Sequence, residues 1–250
     1  DRRCYAFFHP RMPMEPLIFV EVALTEHLAD NVQTLLDEHA PVFDAHRANT
    51  AIFYSISNTQ VGLRGVSFGN FLLKRVVDDL KRDYPRLVNF ATLSPLPSFR
   101  HWAEKNPESW PHAFSAADLE RIKRHLTPEM PQLADASDLS KLLADARWMT
   151  DARLARALQH GLLRLAARYL LTTSKGGRPY DPVARFHLGN GARIERLNYL
   201  ADTSARGQQQ SYGLMVNYLY DPDTIEANVE AFSRSGEIAA AAAIRRSARD

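Results

Sequence analysis

The chain has 250 residues, a length that is typical of one domain or of one domain with an insertion, and 45% of the residues are hydrophobic. Its 31 basic and 29 acidic residues leave a net charge of +2, which is too small to argue for a nucleic-acid-binding protein. The single cysteine, Cys4, excludes an internal disulfide and a cysteine-cluster metal site. Without an apolar stretch of transmembrane length or a signal peptide, the sequence predicts a soluble cytoplasmic protein that does not bind membranes.

Three apolar runs in the first part of the chain are typical of buried strands. They lie at residues 17–24, 51–57 and 87–93, and each is bounded by polar or turn-forming residues. The third run ends at Ser94, which precedes Pro95. A hydroxyl at the end of a strand can point into a cleft, so Ser94 is a candidate site residue, although in most proteins a Ser-Pro sequence is a plain turn.

Two helices are predicted between these strands. Residues 25–39 have a helical pattern, whose apolar face would comprise Leu28, Val32, Leu35 and Leu36. A longer helix is predicted to follow a glycine-containing loop at residues 64–70 and to end before Pro85, because a proline disfavours helical backbone at the preceding residue.

The middle of the chain, about residues 102–172, is more polar and mostly helical in pattern, and we interpret it as an insertion. Ser115 begins a helix with a capping-box pattern, and residues 151–171 form a strongly amphipathic helix. The apolar stripe of this helix either packs on its own domain or forms a surface that another part of a longer protein covers. It comprises Leu154, Ala157, Leu158, Leu162, Leu165 and Tyr169.

A short helix carrying His187 is predicted after a loop at residues 173–180. Asp181 is a typical N-cap, and Pro182 suits the first helical position. The alternative is a hairpin whose turn is Asn190-Gly191, but the Asp-Pro start favours a helix that ends at Gly189 or Gly191.

Two apolar runs near the end of the chain, residues 194–200 and 214–220, predict the last two strands. The alanine-rich stretch from Asp223 onwards predicts one helix that reaches the end of the chain. The sequence therefore predicts a domain that contains both helices and strands.

The glycine-containing loop is a candidate anion site. Gly65 and Gly69 lie four residues apart where a strand leads into a helix, and glycine allows a ligand to approach the backbone closely. Free N–H groups and the dipole of the helix then favour phosphate oxygens. The pattern is not specific, because it matches neither the Rossmann nor the P-loop consensus.

Four motifs together resemble malonyl-CoA decarboxylase. They are FYSISNTQ at residues 53–60 with the loop that follows it, FATLSPLP at 90–97, RFHLGNG at 185–191 and GLMVNYLY at 213–220. The resemblance runs in order along nearly the whole chain. It implies an α/β (α+β) catalytic domain with the GNAT acetyltransferase fold, in which a mixed, mostly antiparallel sheet is flanked by helices. Members of the family also carry an all-helical domain before it, which we expect to be absent here, and the full-length protein is expected to be a homo-oligomer.

The resemblance also implies roles for individual residues. His187 corresponds to the family's proton donor, Ser94 to its proton acceptor, and Tyr220 to a tyrosine near the histidine. The acyl-CoA-binding segment corresponds to Arg64, Gly65, Val66, Ser67, Phe68, Gly69 and Asn70, and Ser55 is a further candidate for this set. Ser67 differs from the acidic residue of some relatives. The structural alternatives are a core histidine, a strand-packing serine and a cross-strand tyrosine.

The chemistry of a malonyl thioester fits these residue types. Decarboxylation leaves an enolate, so the catalyst must stabilise an oxyanion and protonate carbon. No metal or organic cofactor is needed, because the thioester carbonyl accepts the electrons and CoA is part of the substrate. The sequence thus predicts a carboxy-lyase that converts malonyl-CoA to acetyl-CoA and CO2. A GNAT-type acyltransferase and a non-catalytic acyl-CoA-binding module are the two alternatives.

Overall fold

The computed structural model describes residues 1–63, 68–174 and 176–249. Within these residues the centre of the molecule is a seven-stranded sheet with the order β1-β2-β3-β4-β7-β5, and β6 also pairs with β7. The described strands are β1 Arg2–His9, β2 Met12–Thr25, β3 Thr50–Asn58, β4 Asn89–Thr92, β5 Ser94–Pro95, β6 Arg193–Asn198 and β7 Met215–Leu219. Among their pairings β3–β4 is parallel and the others are antiparallel. The predicted mixed, mostly antiparallel sheet flanked by helices is confirmed.

Helices surround the sheet and supply most of the core around it. In the part of the chain that the structure describes they are α1 Val32–Leu36, α2 Phe68–Asp83, α3 Phe99–Lys105, α4 Trp110–Ala113, α5 Ala116–Lys123, α6 Leu139–Leu142, α7 Ala152–Leu171, α8 Pro182–Gly189, α9 Ala205–Ser211, α10 Ile225–Ser235 and α11 Ala242–Arg249. The predictions for α2, α7 and α8 are confirmed. So is the capping box of Ser115, whose hydroxyl accepts from the Asp118 N–H while the Asp118 carboxylate accepts from the Ser115 N–H.

The apolar stripe of α7 packs within its own domain. All six of its residues are buried, and α7 contacts α3, α4, α5 and α11. The alternative prediction, that the stripe is a surface left open for another part of the protein, is therefore wrong. None of the helices in the described ranges is both long enough and apolar enough to span a membrane.

The helix predicted over residues 25–39 is reduced to the five residues of α1. The first part of the predicted helix is not helical, because its carbonyl groups accept other hydrogen bonds. The carbonyl of Leu28 accepts from Arg196, and that of Ala29 accepts from Arg196 and Asn217. Asn31 then caps α1 by accepting a hydrogen bond from the Thr34 N–H. Tertiary contacts therefore overrode a helical pattern that was locally reasonable.

The single helix predicted from Asp223 to the end of the chain is also wrong, because the structure has two helices there. Gly236, at a φ of 69°, ends α10 in the left-handed conformation that glycine adopts readily. Ala240 then forms a parallel bridge with Ile194, and only after this bridge does α11 begin. The alanine content gave helix propensity but could not reveal this pairing with a strand.

Strand β1 and helix α9 were not predicted. Strand β1 pairs through one side only and is mostly exposed or half-buried, so it lacks a continuous apolar run. Helix α9 has only seven residues, but Ser204 caps it by accepting from the Gly207 N–H. A serine N-cap signal was thus present in the sequence ahead of α9.

Candidate active site

The structure brings the three predicted catalytic residues together in one hydrogen-bonded chain. The Oγ of Ser94 lies 3.2 Å from Nε2 of His187, and Nδ1 of the same ring lies 2.7 Å from the hydroxyl of Tyr220. Ser94 lies 93 positions before His187 in the sequence, and Tyr220 lies 33 positions after it. All three side chains are nevertheless buried, with Ser94 6% exposed, His187 3% and Tyr220 5%. This arrangement links a hydroxyl, an imidazole and a phenol by direct contacts.

Helix α8 places His187 in this chain. Its N-cap is Asp181, whose Oδ1 accepts from the N–H groups of Val183 and Ala184, with Pro182 at the first helical position. The other carboxylate oxygen accepts a hydrogen bond of 2.7 Å from the Tyr169 hydroxyl on α7. The start of α8 is thereby fixed to the neighbouring helix, and the hairpin alternative for this segment is wrong.

Ser94 and Tyr220 meet because their strands are neighbours. Ser94 pairs with Val216 where β5 runs antiparallel to β7. Tyr220 follows β7, and its N–H donates to the carbonyl of Phe90 on β4. The ends of the adjacent strands β4, β5 and β7 therefore bring Ser94 and Tyr220 to the ring of His187.

Thr92 and Tyr218 support the chain, although the sequence interpretation did not single them out. The hydroxyl of Ser94 donates to Oγ1 of Thr92 at 2.8 Å, and that oxygen also accepts from the Tyr218 N–H. The ring of Tyr218 stacks on the imidazole of His187, with centroids 4.5 Å apart and planes 27° apart. Since Tyr218 and Tyr220 are two residues apart at β7, the alternation of a strand could have suggested that both face His187.

Asn217 points to the other side of β7 and has a structural role. Its amide nitrogen donates to the carbonyls of Ala29 and Thr92, and its oxygen accepts from Arg196 and Asn198. These four contacts use its hydrogen-bonding groups to hold strands and a loop together. Its omission from the predicted catalytic set agrees with this geometry.

Burial sets the protonation states of the site. Removal from water lowers the pKa of His187 from 6.5 to about 3, so the imidazole is neutral at ordinary pH. Burial also raises the pKa of Tyr220, so the phenol keeps its proton. A tautomer consistent with both contacts has the Tyr220 hydroxyl donating to Nδ1 and the Nε2–H donating to Ser94.

Burial of neutral His187 should make the stability of the protein depend on pH. Because the folded pKa lies below the unfolded value of 6.5, the unfolded chain binds the extra proton, and stability is lost as pH falls from 6.5 towards 3. The loss should reach at most about 1.4 kcal/mol per pH unit. We expect urea unfolding between pH 7 and pH 5 to show a steeper fall for the native sequence than for His187→Gln. Parallel curves would mean that the imidazole is not buried in its neutral form.

A cleft of about 650 Å³ opens onto Ser94 and His187, and we refer to it as the active-site cleft. It is lined by Ile18, Phe53, Tyr54, Ser55, Ile56, Ser57, Ser94, Pro95, Pro182, Val183, Phe186, His187, Asp202, Arg206, Gln210 and Met215. Ser55 thus lies in the wall of the same cleft as the predicted catalytic pair. Among the described lining residues the charged ones are Asp202 and Arg206, and the sequence interpretation did not identify either.

The predicted CoA-binding loop lies mostly outside the described residues. Arg64, Gly65, Val66 and Ser67 lie outside the described residues. Phe68, Gly69 and Asn70 form the beginning of α2, and their side chains also lie outside the described part. Their role in binding CoA stays a prediction from the sequence.

Comparison with known proteins decides the family. The sequence model of the malonyl-CoA decarboxylase C-terminal domain matches residues 1–250. The chain belongs to the malonyl-CoA decarboxylase family. It is 40% identical over 234 residues to the protein named mitochondrial malonyl-CoA decarboxylase of Anser anser anser, and 39% identical over 227 residues to that of Rattus norvegicus.

Solved structures of malonyl-CoA decarboxylases have the same fold. The crystal structure of the protein from Rhodopseudomonas palustris is 48% identical with a TM-score of 0.83, and that from Agrobacterium vitis is 47% identical with a TM-score of 0.84. The matches cover 99% of this chain but 53% and 57% of those chains. The goose and rat matches cover 92% and 88% of this chain and 46% and 45% of those proteins. The chain therefore spans about half the length of the relatives that it matches.

The relatives bear on location as well as on family. The goose and rat malonyl-CoA decarboxylases are named as mitochondrial proteins. The cytoplasmic location expected from the sequence stays a prediction for this member of the family, as does the homo-oligomer.

Proposed function

We propose that this chain decarboxylates malonyl-CoA to acetyl-CoA and CO2 in the active-site cleft. The observation that carries the proposal is the hydrogen-bonded chain from Ser94 through His187 to Tyr220, two members of which line the cleft. Membership of the malonyl-CoA decarboxylase family supports it. The CoA phosphates are proposed to bind at the loop of residues 64–70, and no cofactor beyond the CoA of the substrate takes part.

The deep part of the cleft suits loss of a carboxylate. The Ser94 hydroxyl can turn from Thr92 towards the substrate, and neither it nor the neutral imidazole of His187 carries a full positive charge. A strong ion pair would stabilise the substrate carboxylate more than the transition state, in which the negative charge moves away from it, and would slow the reaction. Neutral hydrogen-bond donors therefore favour cleavage of the bond to the carboxylate more than a cation at the same position would.

The electrons and the proton can be followed through the reaction. The bond between the methylene carbon and the carboxylate breaks, CO2 leaves, and the electron pair passes to the thioester as an enolate. The Ser94 hydroxyl first stabilises the oxyanion by a hydrogen bond, and the enolate carbon then takes a proton from the pair formed by Ser94 and His187. We assign His187 as the proton source and Ser94 as the group that contacts the reacting malonyl unit.

Arg206 is proposed to attract the substrate carboxylate at the mouth of the cleft. It is exposed and lines the cleft from α9, whereas Ser94 and His187 lie buried. The helix is held in place by Gln208, whose side chain donates to the carbonyls of Leu143 and Ala144. A cation at the mouth can help to select malonyl-CoA without stabilising the carboxylate where it must react.

Replacing Arg206 by glutamine should therefore raise KM for malonyl-CoA by about five- to tenfold and change kcat by less than about twofold, because the lost contact is made before the chemical step. Arg153→Gln is a matched control, since Arg153 is an exposed arginine on α7 that does not line this cleft. Steady-state kinetics of both variants provide the measurement. A fall in kcat with an unchanged KM would place Arg206 at the reacting group instead.

One assay tests the proposed function against its alternatives. The chain is incubated with malonyl-CoA, and CO2, acetyl-CoA and acylation of added amines are followed together. We expect equal amounts of CO2 and acetyl-CoA without transfer to an amine. Transfer of the acyl group would support an acyltransferase, and binding without any product would support a non-catalytic acyl-CoA-binding module.

A further inference from the structure

A second cavity lies behind the site and shares Tyr220 with it. This back cavity has a volume of about 210 Å³ and is lined by Phe53, Leu73, Lys74, Val77, Asp78, Lys81, Asn190, Tyr220, Pro222, Ile225 and Glu226. Phe53 lines both spaces, so the cavity and the cleft are neighbours. Tyr220 thus lines the back cavity and also contacts His187, with its hydroxyl 2.7 Å from Nδ1, while Ser94 and His187 line the active-site cleft.

The proposed reaction consumes a proton in every turnover. A malonyl thioester with an ionised carboxylate and one proton give an acetyl thioester and CO2. During the chemical step the acyl-CoA occupies the cleft and excludes water from it. The proton that enters the new methyl group must therefore be stored in the site beforehand or arrive by another route.

The buried residues store this proton poorly. Burial keeps His187 neutral, so loss of the Nε2 proton must be matched by gain of a proton at Nδ1. Tyr220 can supply that proton, but burial also opposes a phenolate, so Tyr220 must be reprotonated in turn. A proton donor is needed on the side of Tyr220 that faces away from His187.

The back cavity has groups suited to holding water on that side. Asn190 lines the cavity and is only 4% exposed, and its Nδ2 is buried without a hydrogen-bond acceptor among the described residues. Asp78 and Glu226 supply carboxylates, and Lys74 and Lys81 supply ammonium groups around the same space. A polar cavity of this size can hold water molecules with several partners.

We propose that the back cavity holds the water that returns a proton to the site during catalysis, a role that rests on the proposed decarboxylation. A water proton passes to the oxygen of Tyr220, and the proton of that hydroxyl passes to Nδ1 of His187. The Nε2 proton passes to Ser94, and the Ser94 hydroxyl turns from Thr92 and gives its own proton to the enolate carbon. Tyr220 and Ser94 each gain one proton and lose one, His187 gains one at Nδ1 and loses one at Nε2, and the hydroxide left in the cavity is neutralised by exchange with solvent. After the product leaves, proton exchange through the open cleft returns the imidazole to the tautomer with its proton on Nε2.

Filling the back cavity tests this route. Val77 lines the cavity from α2, so Val77→Phe and the larger Val77→Trp would displace water without replacing any residue of the hydrogen-bonded chain. Val88→Phe makes the same change at an exposed position outside the cavity. We expect Val77→Phe to lower kcat about tenfold and Val77→Trp more, with KM within about twofold of the native value, and Val88→Phe to leave both unchanged.

A second set of variants shows whether the effect passes through Tyr220. Tyr220→Phe removes the hydroxyl through which the proton would pass. Adding Val77→Phe to this variant should therefore cause no further loss of kcat. A crystal structure of Val77→Phe should keep the contact between Tyr220 and His187 at its native length. A similar loss of kcat in both backgrounds would overturn the proposal, because the variant would then act through packing.

The outcome also separates this inference from the proposed function. If the native chain releases CO2 and a folded Val77→Phe variant keeps full kcat, the back cavity has no role and the decarboxylase assignment stands. If the native chain releases no CO2, the proposed function itself fails. Should the tryptophan variant not fold, Asn190→Leu removes the unpartnered amide from the cavity, and an unchanged kcat in that variant would equally overturn the proposal.

Discussion

Replacing His187 by alanine should lower kcat by at least about a hundredfold, the usual scale of a lost general acid. His187 is the central member of the chain, because its two ring nitrogens contact Ser94 and Tyr220. Alanine removes both contacts and leaves the Tyr220 hydroxyl without this partner. Initial rates of acetyl-CoA formation provide the measurement.

Two controls make the His187 result decisive. His160→Ala removes an exposed histidine from α7 and should keep full activity. Circular dichroism and CoA binding show whether the His187 variant is folded. Near-native kcat in a folded His187→Ala protein would remove the residue from the mechanism and return it to the role of a core histidine stacked on Tyr218.

Replacing Ser94 by alanine should also lower kcat by at least about tenfold. Its hydroxyl contacts both His187 and Thr92 and lines the cleft, so it acts where the malonyl group reacts. An interaction made chiefly in the transition state affects kcat more than ground-state binding. Steady-state kinetics should therefore show a fall in kcat, and calorimetry should show CoA affinity within about threefold of the native value.

The matched control for this change is Ser233→Ala, an exposed serine on α10. It should leave both kinetic constants unchanged. If Ser94→Ala raises only KM, Ser94 binds substrate and has no part in proton transfer. The structural alternative, a plain Ser-Pro turn, would leave kcat and KM near their native values.

Local signals in the sequence were sufficient for several parts of the fold. The Asp181-Pro182 start predicted α8, and Asp181 caps that helix in the structure. The apolar runs predicted β3 and β7 to within a residue or two at each end. These predictions succeeded because capping and strand patterning depend on neighbours in sequence.

Features that depend on distant parts of the chain were harder to predict. The hydrogen bonds from Arg196 and Asn217 that shorten α1 come from β6 and β7. The bridge between Ala240 and Ile194 that separates the last two helices is likewise a contact between distant segments. Helix propensity carries no information about such partners.

The sequence predicted only part of the candidate site, because the rest also depends on contacts between distant parts of the chain. The sequence pointed to Ser94, His187 and Tyr220 through a family resemblance, but no spacing could give the contacts between them. Thr92 was overlooked because its role follows from the pairing of β4 and β5 with β7, which brings its hydroxyl to Ser94. Arg206 was overlooked because a lone arginine has no signature until α9 is placed beside the cleft.

The most direct test of the central claim is release of labelled CO2 from malonyl-CoA that carries an isotopic label in its free carboxylate. The native chain and its His187→Ala variant are compared at equal concentration, with acetyl-CoA quantified in the same samples. We predict that the native chain releases labelled CO2 and acetyl-CoA in equal amounts and that the variant is slower by at least about a hundredfold. Retention of the label in CoA esters, or equal rates for the two proteins, would contradict decarboxylation at this site.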